Sequence, residues 1–205
     1  MWDWLAVNSA LVQAVFGGVT AFVWIFYLQI LVMGLRRQRR TEMLIHLGGG
    51  TGMDARTFVS NLGFEPIYIL EIMLTVSTSD GARETSIADR TEIAKENLAS
   101  PSDVTVQGPL KSGEYVDIGD FGTLLRRAEW RSAETLDLKQ ITKVQLKVAA
   151  ISAASSTIVA AERGFDVVVE DGVSTLVPQG LYAKQIRSFW ARQGLKRELQ
   201  RHYER

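Results

Sequence analysis

Residues 4–40 read WLAVNSALVQAVFGGVTAFVWIFYLQILVMGLRRQRR, and the reading of this stretch decides how the rest of the chain is held. From Trp4 to Leu35 no side chain is charged, and four arginines then follow within five residues. A bilayer core of about 30 Å needs about 20 apolar residues rising about 1.5 Å each. The dense part, Leu11 to Leu35, is long enough to span it, and a chain of 205 residues offers little core in which to hide such a helix. A cleaved signal peptide fits poorly. Asp3 stands where a basic region belongs, and the apolar stretch exceeds the usual ~7–15 residues. The sequence predicts an uncleaved anchor over residues 1–35 and a basic juxtamembrane linker over 36–41.

The flanks set the expected orientation. Arg36, Arg37, Arg39 and Arg40 follow the span directly, so the positive-inside bias puts residues 36–205 in the cytoplasm and the N-terminus outside. Trp2 and Trp4 suit the outer interface, where an indole buries its ring and wets its N–H. Inside the span, Ala10, Ala14 and Gly18 recur every fourth residue, with Gly17 and Ala21 beside them and Gln13 among them. Small residues at that spacing let helices approach closely in lipid, and a carboxamide finds a better partner in protein than in hydrocarbon. This face is expected to mediate association with a second copy or with another membrane protein.

Net charge is zero, with 23 basic against 23 acidic side chains, but the balance is made of unlike parts. Residues 36–40 carry +4, residues 41–183 carry −8 and residues 184–205 carry +5. Basic ends around an acidic body suggest contact with anionic lipid headgroups. The chain has no cysteine, which excludes disulfides, thiol nucleophiles and cysteine metal sites; with only His46 and His202, a histidine-rich zinc site is disfavoured too.

After the arginines the chain reads as short strands. Candidates are Met43–Leu47, Thr57–Leu62, Ile67–Val76, Val104–Gln107, Glu114–Ile118, Ile141–Ile151, Thr157–Ala161, Phe165–Val169 and Ser174–Val177. Strict alternation in Ile67–Val76 places Ile67, Ile69, Glu71, Met73 and Thr75 on one face and Tyr68, Leu70, Ile72, Leu74 and Val76 on the other. Val144, Leu146, Val148 and Ala150 share a face in the same way. Gly63, Gly113, Gly164 and Asp171-Gly172 punctuate the runs, the last as a hairpin turn. The pattern predicts a mainly β protein: an immunoglobulin-like antiparallel β-sandwich over 42–178 behind the transmembrane helix. The polar stretch Ser79–Asp103 interrupts it with a short helix expected over Asp89–Leu98, and Asp120 is placed to cap a helix through Phe121–Arg127.

Residues 179–205 are expected to form a basic amphipathic helix, kinked near Gly194. Before the kink Tyr182, Ile186, Phe189 and Trp190 would share its apolar face, with Lys184, Arg187, Arg192, Lys196 and Arg197 around the helix; after it Leu195, Leu199 and Tyr203 form a second apolar stripe rotated from the first. Two uses stay open: lying on a membrane surface or packing on the sandwich or a second copy. No groove-reading motif accompanies the charge, which disfavours nucleic acid.

Nothing points to catalysis. Gly48–Gly52 resembles a phosphate loop, yet it lacks the spacing of a dinucleotide fingerprint or a Walker loop, and Thr57–Leu62 after it reads as a strand. His46 has Asp54 or Glu42 as nearby acids in sequence but sits within a strand. No cofactor and no metal are assigned, and the protein is read as a non-enzyme.

The order of parts is similar to that of uncharacterised bacterial single-pass inner-membrane proteins. It consists of an N-out anchor, RRQRR, a glycine-rich turn, FVSNLGFEPIYI from Phe58 and SGEYVDIG from Ser112. The resemblance implies a cytoplasmic β-domain and brings no activity. The expected function is an anchored, non-enzymatic binding or assembly module. The alternatives are a pore subunit with Asn8, Gln13 and Thr20 lining its lumen, or a nucleotide-binding protein using Gly48–Gly52.

Overall fold

A computed structural model describes residues 7–38, 41–93, 101–132, 135–137, 140–153, 156–170 and 172–203. The chain divides into two compact units, Met1–Arg40 and Thr41–Arg205. The second unit joins what the sequence divides into a β-domain and a separate tail.

The first unit is helix α1, Ser9–Gln38. Its stretch Ser9–Leu35 is long and apolar enough to cross a membrane, with a mean hydropathy of 2.0, and none of it is buried. A helix apolar on all sides is the pattern of a membrane span or of a helix within a large protein core.

The second unit holds ten strands and two helices among the described residues. Strands β1 (Met43–Gly48), β2 (Arg56–Asn61) and β6 (Tyr115–Asp120) make a three-stranded antiparallel sheet in the order β1-β2-β6. A larger antiparallel sheet runs β10-β8-β7-β3-β4, built from β3 (Ile67–Thr78), β4 (Gly81–Ser86), β7 (Lys143–Ser152), β8 (Ile158–Glu170) and β10 (Lys184–Ile186). Strand β5 (Gly108–Leu110) pairs β3, and β9 (Val173–Pro178) pairs β8. Helix α2 (Phe121–Ser132) follows β6 without a loop, and α3 (Phe189–Tyr203) follows β10.

Both sheets and α2 share one core. Met43, Ile45, Val59 and Ile118 from the small sheet meet Ile69, Leu74, Leu146, Val148 and Phe165 from the large one, with Phe121 and Leu124 of α2 among them. Phe121 and Phe165 pack edge to face, their centroids 5.5 Å apart. The edge of β1 is held by a side chain rather than a strand: the Met43 N–H donates to Gln185 Oε1 at 3.2 Å, and Gln185 Nε2 donates to the Met43 carbonyl at 2.6 Å. One carboxamide thus satisfies both backbone groups of Met43 at the edge of the sheet.

Mainly β structure, antiparallel sheets, an N-terminal apolar helix and a C-terminal helix are as the sequence predicts. Five details differ. The two faces of β3 exchange, because its pairing with β7 shifts between Ile69 and Glu71. That bulge turns Ile67 and Ile69 to the same core as Ile72, Leu74 and Val76, and leaves Met73 on the opposite face. Gly164 is not a turn but the middle of β8, where a Cβ would come within 2.6 Å of the Gln179 Oε1 that packs over it. Strand β4 lies inside the polar stretch assigned to no strand. Asp89 there makes an isolated bridge to Thr105 instead of starting a helix, while residues 94–100 lie outside the described residues. Val104 closes a 3-10 turn, Pro101–Val104, so the strand expected at Val104–Gln107 begins instead at Gly108. The tail enters as strand β10, so Lys184 and Ile186 belong to the sheet, and α3 runs through Gly194 without a break in helix.

Candidate functional site

Helix α3 lies on the outer face of the large sheet. Its Leu195 and Leu199 are 3% and 4% exposed and pack with Met73, Ala149 and Ala160, flanked by Ile158 and Ile186. The two alanines are what permit this approach, since larger side chains on β7 and β8 would hold the helix off. It is thus the expected second stripe, Leu195 and Leu199, that docks on the body. Ile186 still packs here, but from a strand, and Trp190 is 81% exposed. Beside these leucines a polar clasp joins three elements. Lys147 Nζ on β7 donates to Glu84 Oε1 on β4 at 2.7 Å and to Glu198 Oε1 on α3 at 2.9 Å.

The electrostatics of the clasp follow from two acids serving one cation. The Glu198 carboxyl is pushed up by its hydrogen bond with Glu84 and by burial, against the pull of Lys147. Burial works to raise Glu84 too, but its hydrogen bonds with Glu198 and Lys147 outweigh this and hold it below the ordinary value. Burial works to lower Lys147, and both carboxylates override it and raise it. Two acids on one cation thus drive the two carboxyls apart, Glu84 down and Glu198 up.

Between α3 and the sheet opens a cleft of about 470 Å³, lined among others by Lys147, Lys184 and Arg187, by Glu162 and Glu198, and by Leu195. Its cations are matched: Lys184 Nζ bonds Glu162 at 2.8 Å and Arg187 lies 4.0 Å from Glu42. The cleft can hold a polar group.

A second surface is the outer face of the small sheet. His46 stacks on Phe58 with centroids 5.3 Å apart, and Tyr115 meets Phe58 edge-on at 5.6 Å, around a hollow of about 140 Å³. The partner of His46 is thus an aromatic ring and not Asp54 or Glu42. Burial, then the charge of Arg163, lowers the His46 pKa, so the imidazole is neutral at neutral pH. Arg163 itself is spent inside the body, donating to the carbonyls of Ile45 and, at 3.2 Å, Gly180.

Of the expected site residues, Ala10, Gln13, Ala14, Gly17, Gly18 and Ala21 all lie exposed on α1. Arg36 and Arg37 fall in its last turn, while Trp2, Trp4, Arg39 and Arg40 lie outside the described residues. Arg187 sits between β10 and α3, Phe189 opens α3, and Arg192, Lys196 and Arg197 lie along it. The clasp of Glu84, Lys147 and Glu198 escapes sequence reasoning, since its members are 63 and 51 residues apart. The one available signal is the alternation of β7, which puts Lys147 on the face away from the core. After Gly48–Gly52 the chain turns and enters β2, so the loop has no helix N-terminus to bind phosphate. No protein-family model matches the chain, and no curated protein matches it.

Proposed function

We propose that the protein is a single-pass membrane protein of the bacterial inner membrane whose β-body is a non-enzymatic binding and assembly module. The observation that carries this reading is α1: the stretch Ser9–Leu35 is apolar, wholly unburied and followed at once by an arginine cluster. In this reading the N-terminus lies outside, residues 36–205 lie in the cytoplasm, and Arg36, Arg37, Arg39 and Arg40 rest among anionic headgroups. The body, an immunoglobulin-like sandwich with α2 and α3 added, presents its partner-facing surfaces from there. The outward side of α3, with Trp190 and Arg197, contributes a further basic contact to lipid, each cation near the surface adding about 1 kcal/mol.

An open cleft whose cations are matched by carboxylates supports binding more than catalysis. The pore reading is not adopted, because the line of α1 that carries Gln13 and Thr20 continues into Trp24, Tyr27 and Leu31, which would fill a lumen. The nucleotide reading is dropped because β2 follows Gly48–Gly52. Purification of the full chain from its native membrane in mild detergent tests the proposal: the complex is expected to exceed one copy in mass. A monomeric particle with nothing bound contradicts it.

A further inference from the structure

From Ala10 to Leu31 one line of positions on α1, which carries Gln13, Gly17, Thr20 and Tyr27, recurs in alternating steps of three and four. Gln13, Thr20 and Tyr27 stand seven residues apart, and between them stand Ala10, Gly17, Trp24 and Leu31, also seven apart. At 100° per residue these positions stay within one arc of about 100°, drifting about 20° per seven residues, which is the seam of a left-handed supercoil. The opposite side carries Leu11, Val15, Phe22, Phe26 and Met33, which suit lipid. Gln29, the polar residue on that side, lies within two turns of Arg36 and can reach the headgroups.

We propose, building on the membrane reading above, that this seam packs against the same seam of a second copy, in parallel and in register. Three observations select a second copy over lipid or an unrelated helix. Gln13, Thr20 and Tyr27 make no side-chain hydrogen bond among the described residues, though each carries both a donor and an acceptor. A carboxamide, a hydroxyl and a phenol are each complementary to themselves. Copies inserted with one orientation bring each to its own equivalent at the same depth, in rungs about 10.5 Å apart. Gly17 leaves an open notch on the seam, as Gly18 does on the neighbouring line, since a Cβ at either meets nothing within 4 Å. About two turns on, Val23, Trp24 and Tyr27 line an apolar hollow of about 290 Å³, of the kind that receives a side chain from a facing helix. This seam differs from the Ala14, Gly18 and Ala21 face expected from small residues alone, sharing with it Ala10, Gln13 and Gly17.

The chain has no cysteine, so single cysteines can be introduced into the full-length protein without background. Each position from 10 to 31 is substituted in turn, membranes are oxidised, and the disulfide-linked dimer is measured. Yields are expected to rise and fall with a period of three and a half residues, several-fold higher at Gln13→Cys, Gly17→Cys and Thr20→Cys than at Val15→Cys, Phe22→Cys and Phe26→Cys. Maxima at Ala14→Cys, Gly18→Cys and Ala21→Cys would overturn the seam while leaving self-association standing. A flat profile without dimer at any position would overturn the seam; only if native-membrane purification also yields a lone monomer does the assembly reading fall with it.

Discussion

Asn61 ties three segments of the body together while fully buried. Its Nδ2 donates to the carbonyls of Glu65 at 2.8 Å and Leu110 at 3.2 Å, and its Oδ1 accepts the Gly63 N–H at 3.0 Å. Replacing it with alanine leaves those groups unpaired in the interior, so Asn61→Ala is expected to cost about 2–3 kcal/mol in urea unfolding of the body. Asp120 is the other residue whose chemistry fixes local structure. Its Oδ1 accepts the Thr123 N–H at 2.8 Å and its Oδ2 accepts the Thr123 hydroxyl at 2.7 Å, capping α2. Burial opposes ionisation, but these bonds prevail and hold its pKa below the ordinary 3.8. A depressed carboxylate contributes fully above its ordinary value and loses that contribution as pH falls through the folded one. Asp120→Ala is therefore expected to cost about 1 kcal/mol at neutral pH, with the gap to the native chain closing below pH 3.8. This cap is legible in sequence because it is local, an acid directly before an apolar-periodic run. Asn61 is not, because two of its three partners are set by how a loop and a distant strand return to it.

Elements with strong periodicity are the ones the sequence discloses. Val144, Leu146, Val148 and Ala150 alternate cleanly and all face the core. Strand β3 alternates as well, yet one bulge residue, Leu70, exchanges its faces, and nothing in its composition marks that insertion. Strand β4, GARETS, has no apolar alternation and is held in place by pairing with β3. The tail misleads for a related reason: Lys184 to Ile186 have helical company in sequence but pair with β8 as a strand. The docking of α3 rests on Leu195, Leu199 and the Lys147 clasp. Removing the cation in Lys147→Met leaves two carboxylates facing one another, and a loss of about 2 kcal/mol is expected, with earlier release of α3 in hydrogen exchange. Glu198→Gln keeps a hydrogen-bonding group and removes the repulsion, so stability within about 0.5 kcal/mol of the native chain is expected. The raised pKa of Glu198 stabilises fully below its ordinary 4.5, and that contribution is lost as pH climbs through the higher folded value. The native chain should weaken across that window, and the Glu198→Gln variant should be flatter there; an equal slope in both would remove Glu198 from the clasp.

At the scale of the molecule, the zero net charge conceals a basic segment after an apolar helix, an acidic body and a basic end. The helix is legible because its signal is one of length and composition, which need no tertiary partner. The surfaces of the body are not, because the clasp, the cleft and the aromatic face are assembled from strands far apart in sequence. The central claim is that α1 holds the chain in a bilayer. Alkaline carbonate washing of membranes containing the full-length protein tests it most directly. Retention in the membrane pellet, with release of a variant lacking residues 1–35, is the predicted result; release of the intact chain into the supernatant would contradict it.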